Sequence, residues 1–349
     1  MKELKFPYSL FCMFLGLSAF AVPTSALVVG PTPAGSPVTF VSASGTDTGS
    51  CSQTQPCATF QYAANVTLLG GEVDALTPGN FVGAAGLTIG QSITIDGKGM
   101  ASISANTAQA ITVNAIDSKV VLRGLSINGS GPYYGAPSGV EGIYYNSLGN
   151  SALVVEDCVI AGFSNAGIYN VTGATSTLYV KNTTISGGIV GVYVNEGGGS
   201  TVLEHVTISG AGGYGVEVVS TPGTLTMNDS AIVGGFYGVY VSGSAVSGSS
   251  IFTVVLERTT ITAATVAGIY TATGVVDVDD STIFANVLAM QASGGVMRIS
   301  NNNIYDNATG IVCNSANSYV QSAGNNRHGS NANIITSGGC PAMEPINYW

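Results

Sequence analysis

Residues 178–194 read LYVKNTTISGGIVGVYV and contain both of the short patterns that repeat along the chain. The first pattern ends at Ile185, and the second is the run Gly191, Val192 and Tyr193. In both patterns apolar residues alternate with polar or small ones, as expected for strands that bury one face. The segment therefore predicts short strands joined by glycine-rich bends.

Both patterns recur along the chain at nearly the same interval. The landmark isoleucines of the first pattern are spaced 33, 25, 23, 24, 29, 22 and 21 residues apart. They are Ile127, Ile160, Ile185, Ile208, Ile232, Ile261, Ile283 and Ile304. The second pattern recurs, with small variations, from Gly142, Gly167, Gly191, Gly215, Gly238, Gly268 and Gly310. Two patterns with one period predict units that stack, because a unit this short cannot bury its own apolar face.

The composition favours one repetitive solenoid over two ordinary globular domains. Charged residues make up only 8% of the 349 residues, and there are 48 glycines. Abundant Val, Ile, Thr and Gly are typical of strands and turns. Nine Lys and Arg against 19 Asp and Glu give a net charge of −10, which disfavours nucleic acids and anionic membranes as partners. A polyanionic substrate is also disfavoured unless a cation bridges it to the protein.

The N-terminus is predicted to be a signal peptide spanning residues 1–26. Lys2 and Lys5 precede an apolar run over residues 6–22, and small residues follow it at 24–26. We therefore expect a secreted protein, extracellular or periplasmic, with no membrane span after cleavage. The rest is predicted to comprise an N-terminal cap and first coil at 27–85, stacked coils at 86–312, and a C-terminal cap or tail at 313–349.

The repeat resembles that of the pectin-lyase-like superfamily, whose members fold as right-handed parallel β-helices. The resemblance rests on the pattern GIYxx…LxVxNTTISG and covers roughly residues 38–325. Residues 78–81, PGNF, are similar to the PGxY run that precedes the first regular coil in that superfamily. The resemblance implies an all-β solenoid with three short strands per coil and a capping helix near residues 57–66. It does not imply one activity, because the superfamily includes lyases, hydrolases, epimerases, tailspikes and adhesins.

Five cysteines follow the predicted signal peptide. Cys51 and Cys57 lie six residues apart, and Cys313 and Cys340 lie near the C-terminus, so we expect two disulfides that staple the ends of an exported solenoid. Cys158 takes an apolar position in its coil and is expected to be a small buried thiol.

Two outward columns precede the landmark isoleucines. Three residues before each stand Gly124, Asp157, Asn182, His205, Asp229, Arg258, Asp280 and Asn301. These residue types favour left-handed bends, and the column resembles a looser version of the superfamily's asparagine ladder. One position earlier the charges alternate in sign over Arg123, Glu156, Lys181 and Glu204, which predicts cross-strand ion pairs that fix the register.

No cofactor or metal site is predicted, although the sequence leaves a bound calcium ion open. Glu257 beside Asp279 is the one pair of like charges in the charged column, and it offers a weak cation site.

A third outward column holds the predicted ligand-binding residues. The column consists of Tyr144, Tyr169, Tyr193, Glu217, Tyr240 and Tyr270. In each strand these side chains point away from the branched apolar residues and are therefore expected to form an exposed stripe. Two departures from the period, residues 130–139 and 242–250, are expected to rim it. Because aromatic rings bind sugar rings, the stripe predicts a site for a polysaccharide or surface glycan. The alternative is a ladder that only stabilises the sheet.

The sequence leaves the question of catalysis open. Lyases of the superfamily use a Lys or Arg base, and the tyrosine column contains neither. A two-carboxylate hydrolase would use Glu217 as the catalytic residue, and the sequence leaves Glu196, Glu141 or no residue as its partner. Tyr193 is an alternative acid or base. The favoured interpretation is an exported, non-catalytic β-helix that binds polysaccharide or serves as a surface component. The alternative is a polysaccharide lyase or glycoside hydrolase.

Overall fold

The computed structural model describes residues 35–83, 85–105, 109–129, 140–173, 175–219, 222–243, 252–331, 333–337 and 344–345. Within them lie one α-helix, Phe60–Val66, and 33 β-strands. The predicted signal peptide and most of the two predicted rim loops lie outside the described residues. No helix among the described residues is long and apolar enough to cross a membrane.

The strands form two sheets that run the length of the solenoid. We call the 11-stranded one the tyrosine sheet; its strands are Leu87–Ile89, Ile111–Val113, Glu141–Tyr145, Ala166–Asn170, Val190–Val194, Tyr214–Val218, Tyr237–Val241, Ala267–Thr271, Leu288–Ala292, Thr309–Cys313 and Asn333–Ser337. We call the 22-stranded one the wide sheet. Its strands are Ser36–Val41, Thr67–Ala75, Gly79–Asn80, Ile93–Ala105, Lys119–Gly129, Ala152–Glu156, Val159–Ala161, Thr177–Lys181, Thr184–Ser186, Ser200–Glu204, Thr207–Ser209, Gly223–Asn228, Ala231–Val233, Phe252–Glu257, Thr260–Thr262, Val275–Asp279, Thr282–Phe284, Val296–Ser300, Asn303–Tyr305, Tyr319–Ser322, Arg327–Gly329 and Glu344–Pro345.

Each regular coil contributes one strand to the tyrosine sheet and two to the wide sheet. One such coil consists of Val190–Val194, Ser200–Glu204 and Thr207–Ser209. Each of these strands pairs in parallel with its equivalent in the next coil, in unbroken register. The predicted all-β parallel solenoid with three short strands per coil is therefore confirmed.

The landmark isoleucines form one continuous stack inside the solenoid. Ile160 is in register with Ile127 on one side and Ile185 on the other, and the stack continues to Ile304. All of them are at most 1% exposed, so the inward assignment is confirmed. In the last such strand the stack ends with His328, which pairs with Ile304.

The glycine of the Gly-[Ile/Val]-Tyr pattern packs directly against the landmark isoleucine. A Cβ atom on Gly191 would lie 2.4 Å from Ile208 Cγ2 and 2.6 Å from the carbonyl oxygen of Gly215 in the next coil. Gly167, Gly215 and Gly238 meet their isoleucines at 2.4 to 2.5 Å in the same way. The two sequence patterns share a period because the landmark isoleucine of a coil fits only where the facing residue of the other pattern is small, as glycine is.

We expect Gly191→Ala to lower the free energy of unfolding by about 1–3 kcal/mol, because the added methyl overpacks the core and presses on backbone. Chemical denaturation of the two proteins would measure the difference. Gly173→Ala is the matched control, since its Cβ would meet only Leu148 Cδ2 at 3.7 Å, an ordinary contact. A Gly191→Ala variant as stable as Gly173→Ala would contradict the packing argument.

The predicted left-handed bends are confirmed, but the ladder lies one residue later than predicted. All eight residues of the bend column have φ between 46° and 59°. In five coils the next position carries a polar side chain that accepts a hydrogen bond from a backbone N–H of the preceding coil. We call this the bend ladder; it comprises Thr183, Ser230, Ser281, Asn302 and Asn326. A bend interrupts strand pairing, so a buried N–H there needs a side-chain acceptor.

The predicted ion pairs of the wide sheet are also confirmed. Arg123 Nε lies 2.5 Å from Glu156 Oε1, and Lys181 Nζ lies 3.1 Å from Glu204 Oε1. These pairs join neighbouring strands of consecutive coils. Because these pairs are partly exposed, they contribute little to the free energy of unfolding, and their main effect is to fix the register of the strands.

The N-terminal end of the solenoid is covered as predicted. The helix Phe60–Val66 begins after Thr59, whose side chain accepts a hydrogen bond from the N–H of Tyr62, and it buries Phe60 against Phe81 with ring centroids 5.5 Å apart. Phe81 is the aromatic residue of the PGNF run.

The cysteines agree with the predictions where the structure describes them. Cys51 and Cys57 form a disulfide. Cys313 is also disulfide-bonded, and its predicted partner, Cys340, lies outside the described residues. Cys158 is a free buried thiol, and burial raises its pKa to about 12, so it is unreactive near neutral pH.

Candidate glycan-binding face

The structure places the predicted tyrosine column on one face of the tyrosine sheet, in exact parallel register. Successive members pair as Tyr144, Tyr169, Tyr193, Glu217, Tyr240 and Tyr270. Five coil steps separate the first from the last, a length of about 24 Å at the usual strand spacing. Thr112 precedes the column and Gln291 follows it.

The tyrosine rings stack on one another along the solenoid. Tyr169 and Tyr193 have ring centroids 4.3 Å apart and planes 6° from parallel, and Tyr144 continues the stack at 5.8 Å. On the other side of Glu217, Tyr240 and Tyr270 stack at 5.0 Å and 8°. Stacked rings cover each other's faces, so they present edges and hydroxyl groups to solvent. All five tyrosines of the predicted exposed stripe are therefore partly buried.

Two further tyrosines join the second stack, and sequence reasoning missed both. Tyr214 and Tyr237 pair with each other, and each contacts the ring of Tyr240, at 4.9 and 5.0 Å. Each precedes the glycine of its strand, where strict alternation predicts an inward side chain. Most other coils place Ala or Val at this position, so two consecutive tyrosines were the available signal.

Glu217 lies between the two ring stacks, in register with Tyr193 on one side and Tyr240 on the other. Among the described residues its carboxylate has no hydrogen bond and no ion pair. Burial raises the pKa of Glu217 above its ordinary value. Burial, together with the neighbouring Tyr169 and Glu217, raises the pKa of Tyr193 to about 12, so its hydroxyl stays protonated at neutral pH.

Neither predicted carboxylate partner is brought to Glu217. Glu141 begins a strand three coils away, in register with Ala166, Val190 and then Tyr214, which corresponds to about 14 Å along the solenoid. Its carboxylate accepts hydrogen bonds from Gln109 and Asn165.

Glu196 lies inside the solenoid and is fully buried. Its Oε2 accepts hydrogen bonds from Asn170 Nδ2 at 3.0 Å and Thr201 Oγ1 at 3.2 Å. Burial raises the pKa of Glu196 to about 7. It belongs to a core polar network and does not reach the tyrosine face.

The described basic residues lie on the wide sheet or in its bends. Seven of the nine Lys and Arg are described, and they are Lys98, Lys119, Arg123, Lys181, Arg258, Arg298 and Arg327. None belongs to a strand of the tyrosine sheet. The described part of the tyrosine face therefore carries negative charge without a compensating cation.

The one described cluster of three carboxylates surrounds a lysine ammonium group. Glu72, Asp74 and Asp96 bring one oxygen each within 4.8 Å of one another, and Lys98 Nζ lies 3.3, 2.9 and 2.8 Å from them. The weak cation site expected at Glu257 is likewise occupied by a guanidinium, since Arg258 pairs with Glu257 and with Asp229.

No family model matches the chain, and no curated protein matches it by sequence. Solved structures match it with low identity. A pectate lyase superposes with a TM-score of 0.59 at 14% identity, over 85% of this chain and 79% of that one. The A-module of a mannuronan C-5 epimerase from Azotobacter vinelandii gives 0.56 at 16%, over 80% and 92%. An alginate lyase from a Paenibacillus species gives 0.51 at 12%, over 87% and 99%. At such identities the likeness concerns the fold, and the chain therefore has the right-handed parallel β-helix fold of the pectin-lyase-like proteins.

Proposed function

We propose that the protein is exported and binds polysaccharide chains along the tyrosine sheet without cleaving them. The observation that carries the proposal is the pair of tyrosine stacks separated by Glu217. Together they offer a row of hydroxyl groups and ring edges over about 24 Å, which suits an extended polymer.

A purely structural tyrosine ladder explains this face less well. Ring stacking does stabilise a sheet. However, Glu217 interrupts the stack and loses part of its hydration without gaining a protein partner among the described residues, which costs free energy. A destabilising residue inside an otherwise regular column is typical of a functional site.

Two observations favour binding over cleavage. A lyase needs a base and a positive group to neutralise the uronate, and the described basic residues lie on the wide sheet. A glycoside hydrolase needs two carboxyl groups about 5–9.5 Å apart. Glu141 lies three coils from Glu217, about 14 Å along the solenoid, and Glu196 is buried.

Export is supported by the disulfide between Cys51 and Cys57 together with the predicted signal peptide. Polysaccharide as the ligand class is supported by the fold, because the pectate lyase and the alginate lyase named above act on polysaccharides.

A glycan array probed with the wild-type protein tests the proposal. For each glycan that the wild-type protein binds, we expect Tyr193→Ala to lower the affinity about tenfold or more. The substitution removes the last ring of the first stack and its hydroxyl. Tyr305→Ala is the matched control: Tyr305 stacks with Phe284 on the wide sheet, at 5.3 Å, and its loss should leave binding unchanged.

Product analysis of the bound glycan completes the test. We expect the chain length of the glycan to stay constant. Cleavage by the wild-type protein that is lost in the Glu217→Gln variant would establish the enzymatic alternative. Unchanged glycan binding by the Tyr193→Ala variant would show that the tyrosine stack only stabilises the sheet.

A further inference from the structure

The gap between the two tyrosine stacks has the chemistry of a cation site. Glu217 supplies a carboxylate that no described residue neutralises. Tyr193 is its register neighbour on one side and Tyr240 on the other. Tyr214 lies on the same strand as Glu217, and its ring centroid is 4.9 Å from that of Tyr240. A cation held against aromatic rings and beside a carboxylate is stabilised by both.

The hydrogen-bonding capacity of the gap suits an ammonium group. An ammonium carries three donors and no acceptor. The carboxylate of Glu217 accepts one or two of them, and the oxygens of neighbouring tyrosine hydroxyls can accept the rest. Tyr193, Tyr214 and Tyr240 all lie close enough to Glu217 for its charge to raise their pKa values. A metal ion such as calcium would need six to eight oxygen ligands, many more than one carboxylate offers.

The wider electrostatics point the same way. The chain carries a net charge of −10. The described lysines and arginines lie on the wide sheet or in its bends, and five of them are paired with carboxylates: Lys98, Arg123, Lys181, Arg258 and Arg298. A field of this sign attracts cationic polymers and repels uronate polymers.

We propose that Glu217, with Tyr193, Tyr214 and Tyr240, binds the ammonium group of an amino-sugar polymer. This inference rests on the proposed function and narrows the ligand from polysaccharides in general to those with free amino groups. The tyrosine stacks contact the sugar chain on both sides of the ammonium group.

Calorimetric titration of the exported protein with two matched polymers tests the inference. The probes are a linear glucosamine polymer and its fully N-acetylated form of equal length. We expect the amino form to bind about tenfold or more tightly than the acetylated form at low salt, since a charge-assisted hydrogen bond contributes about 1.5–3 kcal/mol. Equal affinities would overturn the inference, and this comparison needs no variant to fold.

Glu217→Gln separates the carboxylate from the rings. It should reduce the ratio of the two affinities, that for the glucosamine polymer over that for the acetylated form, about tenfold. Glu257→Gln is the matched control, because it removes the same charge from the wide sheet and should change neither affinity. A Glu217→Gln protein that binds the amino polymer as tightly as the wild type would overturn the inference.

Two further arms separate this inference from the proposed function. A lysine homopolymer should bind about tenfold more weakly than the glucosamine polymer, because it offers no sugar to the stacks; equal binding would overturn the assignment to a glycan. If glycans without amino groups bind in a Tyr193-dependent way and the amino polymer does not, the ammonium site is wrong and the proposed function stands.

Discussion

Ile185→Asp will prevent folding, whereas Ile189→Asp, four residues along the chain, will leave the protein folded. Ile185 is fully buried and in register with Ile160 and Ile208, so an aspartate there places an unpaired charge inside the stack. We expect a loss on the order of 5 kcal/mol or more, enough to unfold most domains of this kind. Ile189 is 42% exposed, and the same substitution there remains in contact with water.

Soluble expression, circular dichroism and urea denaturation would compare the two variants. Both carry the same charge change and lose the same side chain, so only the position differs. An Ile185→Asp protein with a cooperative unfolding transition near that of Ile189→Asp would show that the isoleucine stack does not hold the coils together.

The stability of the wild-type protein will fall as pH rises through the range where Glu196 ionises, and Glu196→Gln will remove much of that dependence. Burial raises the pKa of Glu196 from 4.5 to about 7. The folded state then holds the proton more tightly than the unfolded chain. The stabilisation is complete below the pKa of Glu196 in the unfolded chain, and it is lost as pH rises through the pKa of Glu196 in the folded state. A difference of this size corresponds to about 3 kcal/mol.

Denaturation midpoints between about pH 5 and about pH 8 would measure this effect. Glutamine keeps a side-chain carbonyl that can accept the bonds of Asn170 and Thr201. Glu204→Gln is the control, because the hydrogen bond from Tyr179 and the Lys181 ammonium lower the pKa of Glu204, and its effect lies at more acidic pH. A wild-type protein whose stability is flat over this range, or a Glu196→Gln variant with the same slope, would contradict the prediction.

The sequence predicts the coil because its determinants are local and repeated. A buried strand must alternate, a bend must hold a residue that accepts positive φ, and a small residue must face the large isoleucine in each coil. Ile185, Asn182 and Gly191 each satisfy one of these requirements. The other regular coils repeat them, with Ala289 in place of the glycine in one coil. The register of the tyrosine column follows from the same repetition.

The parts that could not be predicted depend on geometry within the coil. Tyr214 and Tyr237 reach the outer face because the strand departs from strict alternation just before its glycine. The stacking of Tyr169 on Tyr193 is a matter of side-chain orientation, and orientation decides whether ring faces or edges meet a ligand. Lys98 lies among three carboxylates because the irregular first coils bring residues 72–98 together, and no repeat signals that meeting.

The bend ladder gives the solenoid a one-way dependence between neighbours. The N–H of Ser281 donates to Asn302, and the N–H of Asn302 donates to Asn326, so each of these coils is secured by a side chain of the coil that follows it in the chain. In this part of the ladder the newest coil is therefore the least secured during synthesis, because the acceptor for its bend N–H belongs to the coil that follows. A substitution that removes the Asn302 amide should therefore destabilise the preceding coil first, because the N–H of Ser281 loses its acceptor although the sequence of that bend is unchanged.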